Sequence, residues 1–568
     1  MNPPRLVRSL RLGLRVSRIG LDYGMGAALA QVQAAAGVFT RHPNRFLIAP
    51  QDIRTADPTR ASDFHAGYFV FAGRAVECGT QSPFAVEPPS SEWENALLGF
   101  SWLRHLRAAK TESARIDAQN LVHEFIRSPM SRMPVSGHAQ IAARRLISLL
   151  CQSPMLLEEA DHGFYYQLLV YIHHLQRSLI RALAQPMTDC DRLMVALALA
   201  YYGLCVEVPP NVTKRSIARL RRELKRQMLP DGGHMSRNPA FMLELLLELL
   251  PLRQVFVARG QPAPPELMGA IDRMVPMLRM FRHGDGTLAL FNGMGVTPPD
   301  NLAAVLAYDE GRDQPILNAR YSGYQRLQGG NSVLIMDAGP PPLANASGLA
   351  HAGALSFEFS DGDARVIINC GVPELGSRSL RAAARASAAH STLILNDTSN
   401  AVFARNQGLE RYLSGQVISG PHSTSVLREE KDDLVQIRAT QDGYRRQFGL
   451  MHTRRMALTH DGHTLWGNDQ LTFASKASKP LNLPFALRFH LHPDVQVRLA
   501  NEGTTALLQL PNKHVWRFEA GGLPLALEES MLFAAPTGPR PTRQIVIHAI
   551  AEAEMQLSWS LSRVEVRA

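Results

Sequence analysis

The spacing of apolar residues changes once along this chain, and that change limits the fold more than any other feature. From about Ser90 to Arg282 they recur at helical spacing; after about Tyr321 they alternate with period 2. In the first stretch Pro88-Pro89 stops the preceding chain and Ser91 and Glu94 have capping-box spacing. Trp93, Leu97, Phe100, Leu103 and Leu106 then continue as one helix. A second helix starts at Thr188, with Asp191 in the same box, and runs through LMVALALAYY to a stop at Gly203. Further helices are expected over 114–127, 137–151, 163–185, 211–228, 239–258 and 265–281. No single hairpin of such helices buries both its apolar faces, so stacked hairpins or an α/α toroid follow.

The second stretch reads as strands: NSVLIMDAG, ALSFEFSDGDARVIINCG, HSTLILND, RRMALTHDGHTLWGNDQL, FALRFHLHPDVQVRLA and RQIVIHAIAE. Ser360-Asp361-Gly362-Asp363 and His460-Asp461-Gly462-His463 are hairpin turns. The fold class is therefore α+β, an N-terminal incomplete α/α toroid of helical hairpins followed by a C-terminal antiparallel β-sandwich. The expected divisions are a partly helical segment over 1–85, the helical domain over 86–310 and the sandwich over 320–568. Trp93, Trp102 and Leu245 should share one core, and Leu355, Phe357, Ile367 and Leu393 another.

Composition removes several function classes. Of 568 residues 45% are hydrophobic and 19% charged, the balance of a folded chain with a large core. Five cysteines, none in a CxxC pair, support neither a disulfide framework nor a zinc ribbon. The net charge of +10 comes from 53 arginines and only 7 lysines. These are scattered through RRLISLL, RLRRELKRQ and RYSGYQRL instead of forming one block with interleaved aromatics, which argues against a nucleic-acid partner. They read as solvated faces first and as a polyanion site second. No apolar run is long enough for a membrane span. The N-terminus is a poor signal peptide; an amphipathic helix with Arg5, Arg8, Arg11 and Arg15 on a basic side is expected there.

Two groups of strings resemble the heparinase II/III-like polysaccharide lyases. LAHAGALSFEFSDGDARVIINCG followed by RAAARASAAHSTLIL is similar to that family's His-x-His-x-Asp opening, its strand pair and a later Arg-x-Ser/Thr-x-Ala-His. LPDGGHMSRNPAFMLELLLELL resembles its Asp-Gly turn before a Ser-Pro-x-Tyr helix start. The resemblance covers residues 90 to 560 and implies β-elimination at a uronate in an acidic polysaccharide, in the cell envelope or periplasm. The poor leader leaves the cytoplasm open. Elimination needs a group that neutralises the carboxylate, a base for the C5 proton and an acid for the leaving oxygen. Residue by residue, the family's catalytic His falls on Leu349, its Tyr on Phe241, and Gly353 and Asn369 stand where it has aspartates. The alternative is therefore a non-catalytic, acidic-glycan-binding member of the same fold.

The remaining candidates follow from these positions. His351 and His390 match the family's structural zinc ligands, with Cys370 or Asn369 as the third; only one of those neighbours can face the site on a strand. The three residues read equally as hydrogen-bonded core histidines and a small buried cysteine. For catalysis the best substitutes are His234 as base and Arg237 as carboxylate clamp, although DGGHMSRNP is also an ordinary glycine turn with exposed caps. Arg282, Tyr324 and Arg385 are substrate-binding candidates, with Tyr324 otherwise core and Arg385 part of an exposed arginine run with Arg378 and Arg381. His173-His174 and His490/His492 lack a third ligand and read as structural.

Overall fold

A computed structural model describes residues 43, 45–133, 135, 138–308, 314–404, 415–474, 482–551 and 555–564. The basic N-terminal helix expected around Arg5 to Arg15 lies outside the described residues. Two compact units divide the chain: Met1–Gln227 with Glu244–Ile271 and Asp300–Asp309, and Met228–Leu243 with Asp272–Pro299 and Glu310–Ala568.

The first unit is built from helices whose starts are written in the sequence. Thr111, Asp161 and Thr188 cap theirs by accepting from the backbone N–H three residues on. The helices Pro210–Gln227, Pro239–Ala258, Pro265–Met280 and Pro299–Ala307 each open on proline, whose missing N–H costs nothing at that position. Asp189–Cys205 is buried on all sides from Leu193 onward, as a helix without a polar face must be. It runs past Gly203, because the following residues stay inside the core. Two expectations at the first helix change. Ser90, not Ser91, is the cap, accepting from Trp93 N at 3.2 Å. The helix breaks after Leu98 and resumes at Leu103, with Phe100 at φ +57° between the two pieces. Trp93, Trp102 and Leu245 are all buried in this unit.

The second unit carries two antiparallel sheets. In spatial order the eight-stranded one runs Thr424–Glu430, Leu434–Gln441, Leu450–Thr459, Thr464–Phe473, Gln556–Val564, Val515–Glu519, Thr505–Gln509, Gln496–Ala500. The nine-stranded one runs Ala526–Leu532, Arg540–Ala551, Leu483–Leu491, Ala364–Ile368, Phe357–Asp361, Ser332–Asp337, Tyr324–Gly329, Asn318–Ala319, with Leu393–Leu395 also paired to Leu483–Leu491. Both expected hairpins form, their glycines at φ +60° and +75°. Leu355, Phe357, Ile367 and Leu393 belong to one apolar core with Trp516, Phe518 and Trp559. Among the described residues no strand interrupts the helices from Ser91 to Ala307.

A buried charge ties this core together. Asp469 accepts from His452 at 2.7 Å, Arg454 at 2.8 Å and the Trp559 indole at 3.0 Å. Arg454, fully buried, also donates to the carbonyls of Leu355 and Ser391 at 2.7 and 2.8 Å, and so fixes the backbone beside His390.

Candidate functional site

The loop expected to carry catalysis belongs to the second unit, fastened there by a residue that spacing alone did not single out. Asp231 accepts from the N–H groups of Tyr321 and Ser322 at 2.8 and 2.7 Å and from the Ser322 hydroxyl at 2.7 Å. Gly232, at φ +86°, turns the chain back so that Leu229 N donates to Gly233 O at 2.8 Å. The residues that follow are drawn inward: His234 is 0% exposed and Arg237 6%.

Arg237 is committed on every side. Its guanidinium forms an ion pair with Asp337 and donates to the carbonyls of Ser322 at 2.6 Å, Pro340 at 2.8 Å and Gly323 at 3.2 Å. It also lies over the Tyr324 ring, 4.6 Å from the centroid. No donor of the fork is left for a substrate carboxylate, so the clamp role is corrected to a structural one. His234 bonds Ser236 through Nδ1 at 2.8 Å and packs edge-on to Phe241 at 4.7 Å, sealed away from any water or substrate proton. That burial corrects its assignment as base.

Tyr324 is also sealed. Its hydroxyl donates to Arg237 O at 2.7 Å and accepts from Asn292 Nδ2 at 2.7 Å, and burial pushes its ionisation well up. It is the core tyrosine of the two readings. Asn292 links the whole group, since its Nδ2 also reaches Asp337 at 3.1 Å and its Oδ1 accepts from His351 N at 3.1 Å. The Asn-Gly pair at 292–293 was the available signal for it. Arg385 is held by the carbonyls of Ala350 and Gly415 at 2.8 and 2.9 Å and lies over Phe403 at 4.2 Å, which makes it a strut. Arg282 is exposed and takes no part in this cluster, while its neighbour His283 turns inward to Ser360 and Glu358.

His351 and His390 do meet: His351 Nδ1 is 3.0 Å from His390 Nε2, with both rings buried. The third expected ligand does not join them. Asn369 is taken up by Glu358 at 3.2 Å and Ser391 N at 3.0 Å, and Cys370 points the other way, 3.6 Å from His490. Burial pushes the Cys370 thiol up to about 12. Among the described residues no three His, Cys, Asp or Glu side chains group to hold a metal. Of the expected ligands His351, Cys370 and His390, the two histidines form a pair and the buried thiol lies apart from them, so among the described residues these side chains do not assemble a zinc site.

Glu358 takes the central place instead. Fully buried, it pairs with Arg365, accepts from Leu290 N at 3.1 Å and Asn369 N at 3.0 Å, and meets His283 at 3.2 Å. These partners hold its carboxyl below the ordinary range against the pull of burial. Arg237, Asp337, His351 and Asn400 line what is left of a pocket, and it is too narrow to take a water molecule. Leu349, at the position of the family's catalytic His, is 62% exposed.

Residues 311–560 match the model of the family described as Heparinase II/III-like, C-terminal. A curated relative, FtsZ-localized protein C of Caulobacter vibrioides, is 29% identical over 540 residues, covering 92% of this chain and 91% of its own. Among solved structures, heparinase III superposes with a TM-score of 0.71 at 12% identity, covering 98% of this chain and 92% of that one. A mutant of the heparan sulfate lyase HepC from Pedobacter heparinus does so with 0.63 at 15%, covering 98% and 91%. The likeness to these two solved structures is one of architecture, a helical toroid followed by a β-sandwich. Among the described residues no helix is long and apolar enough to cross a membrane.

Proposed function

We propose that this chain, whose residues 311–560 match the model described as Heparinase II/III-like, C-terminal, is a polysaccharide lyase-like protein that binds an acidic glycan without cleaving it. One observation carries the reading: among the described residues, neither the positions matched to the family's catalytic groups nor the substitutes considered for them offer a titratable side chain open to substrate. Leu349 and Phe241 have no titratable group, His234 is 0% exposed, and Tyr324 and Arg237 are locked in one hydrogen-bonded cluster. Base and acid contribute roughly a hundred- to ten-thousand-fold each to such a reaction, and a closed pocket admits no stand-in water. What the chain retains is an arginine-rich composition, 53 arginines against 7 lysines, whose guanidinium forks match carboxylates.

The relative's name supports a place of work as well. It is described as FtsZ-localized, and we extend that to this chain as a protein that acts by binding where FtsZ is. Two measurements test the proposal. Incubation with alginate, heparan and chondroitin-type polymers should produce no ultraviolet absorbance of an unsaturated uronate; a rise above a heat-denatured control overturns the non-catalytic reading. A fluorescent fusion should co-localise with FtsZ, and a uniform distribution would remove the second part.

A further inference from the structure

The chain has five tryptophans, and four of them are 2% exposed or less. Trp466 is 43% exposed, on the strand Thr464–Phe473 near the middle of the eight-stranded sheet. A large apolar ring set out in water at the centre of a sheet face, where a polar residue would serve the fold as well, asks for a partner.

The register shows what surrounds it. Arg438 stands directly opposite Arg455, Arg455 opposite Asn468, and Asn468 opposite Ser558. Trp466, two residues before Asn468 and opposite Ser560, lies on the same face because side chains alternate along a strand. Arg455 is thus a diagonal neighbour of Trp466, about 7–8 Å away, close to the span of one sugar ring and its carboxylate. Both arginines are exposed and neither forms an ion pair among the described residues; the carboxylates on this face, Glu429 and Glu519, are bonded to Gln436 and Arg517. Two cations placed directly across adjacent strands repel each other, a cost that a bound anion removes.

We propose that this face, with Trp466, Arg438, Arg455, Asn468, Ser558 and Ser560, is a binding platform for a uronate-bearing oligosaccharide. The inference rests on the binding reading above and gives it a location away from the closed pocket. A pyranose offers a flat C–H face to stack on the Trp466 ring and hydroxyls for Ser560 and for the Asn468–Ser558 pair, whose side chains already bond at 2.9 Å. Its carboxylate meets the arginine pair, whose forks match that geometry. A peptide fits less well. The strand Thr464–Phe473 is paired on both sides, so a peptide on this face finds no free backbone to extend.

Titration calorimetry on the full chain with an oligogalacturonate tetramer, and with the same tetramer carboxyl-reduced, tests this. Trp466→Ala should weaken tetramer binding about tenfold or more, and Trp466→Tyr should keep most of it. Arg438→Gln with Arg455→Gln should weaken binding of the tetramer and leave that of the reduced form unchanged. Thermal midpoints should stay near the parent value, since the side chains are exposed. If the parent binds the tetramer and these variants bind equally well, the platform is overturned and the binding reading stands. If the parent binds no uronate oligosaccharide, the binding reading itself fails. If an oligoglutamate peptide or a single-stranded oligonucleotide binds through Trp466 in preference to the tetramer, the ligand class is overturned.

Discussion

His390 Nδ1 donates to the Ala386 carbonyl at 2.7 Å, and this single bond determines the state of His351. With its proton committed there, His390 Nε2 is a bare acceptor, so the ring nitrogen of His351 that faces it at 3.0 Å must carry the proton. His351 Nε2 is then a buried lone pair, and it has no hydrogen-bond partner among the described residues. Both rings are neutral: burial lowers His390 to about 4 and holds His351 well below its ordinary value.

Stability should therefore fall in mild acid. A histidine whose folded value lies below 6.5 binds its proton more readily in the unfolded chain, so its contribution is complete above pH 6.5 and is lost as pH falls toward the folded value. The window for His390 runs from 6.5 down to about 4, with His283 the same and His490 extending to about 3. Each such histidine removes up to about 1.4 kcal/mol per pH unit inside its window. Urea midpoints at pH 7.5 and 5.0 should show the drop, and His390→Gln should reduce it, with His283 and His490 supplying the remainder; equal midpoints would refute the neutral, buried pair.

The second prediction concerns Arg237 and Asp337, both buried and both in one cluster with Asn292. Arg237→Met leaves the Asp337 carboxylate without its cation and should cost about 3–5 kcal/mol, whereas Arg237→Met with Asp337→Leu should recover part of that loss. Denaturant unfolding of the two variants measures the difference. A substrate clamp would behave otherwise, losing affinity with little loss of stability.

This pair also marks the limit of what the amino-acid order revealed. Helix starts and hairpin turns are local events, set by a cap, a proline or an Asp-Gly step, and those at Thr188, Pro239 and Gly362 were legible. So was the meeting of His351 with His390, because a family pattern placed both. Arg237 finds Asp337 across 100 positions, and Glu358 gathers His283 and Leu290 from one segment and Arg365 and Asn369 from another. Nothing in local spacing marks such pairings. Strand alternation showed that Asn369 and Cys370 face opposite ways; only the fold shows that neither is free to complete a metal site.

Metal dependence follows directly. A ligand that binds only the folded state, at a hundred times its dissociation constant, adds about 2.7 kcal/mol of stability. With two histidines bonded to each other and no third donor among the described residues, added zinc should leave the thermal midpoint unchanged and EDTA should not lower it. Stoichiometric zinc in the purified protein by elemental analysis would overturn this.

Restoring the family residues should not restore the chemistry. A Cβ at Gly353 would lie 2.7 Å from His390 Cδ2 and 3.2 Å from Ser356 Oγ, both fully buried. Gly353→Asp must therefore push the His390 ring away from His351, and overpacking of this kind costs about 1–3 kcal/mol before the burial of a new charge is added. Leu349→His is different, because Leu349 is 62% exposed and its replacement should change stability by no more than about 0.5 kcal/mol. Even so, that histidine alone would face a Phe241 with no hydroxyl and an Arg237 already paired to Asp337. Thermal unfolding should separate the two variants clearly, and neither should generate unsaturated uronate from an acidic polysaccharide. Elimination by Leu349→His would mean that the rest of the machinery is intact and that one side chain silenced it.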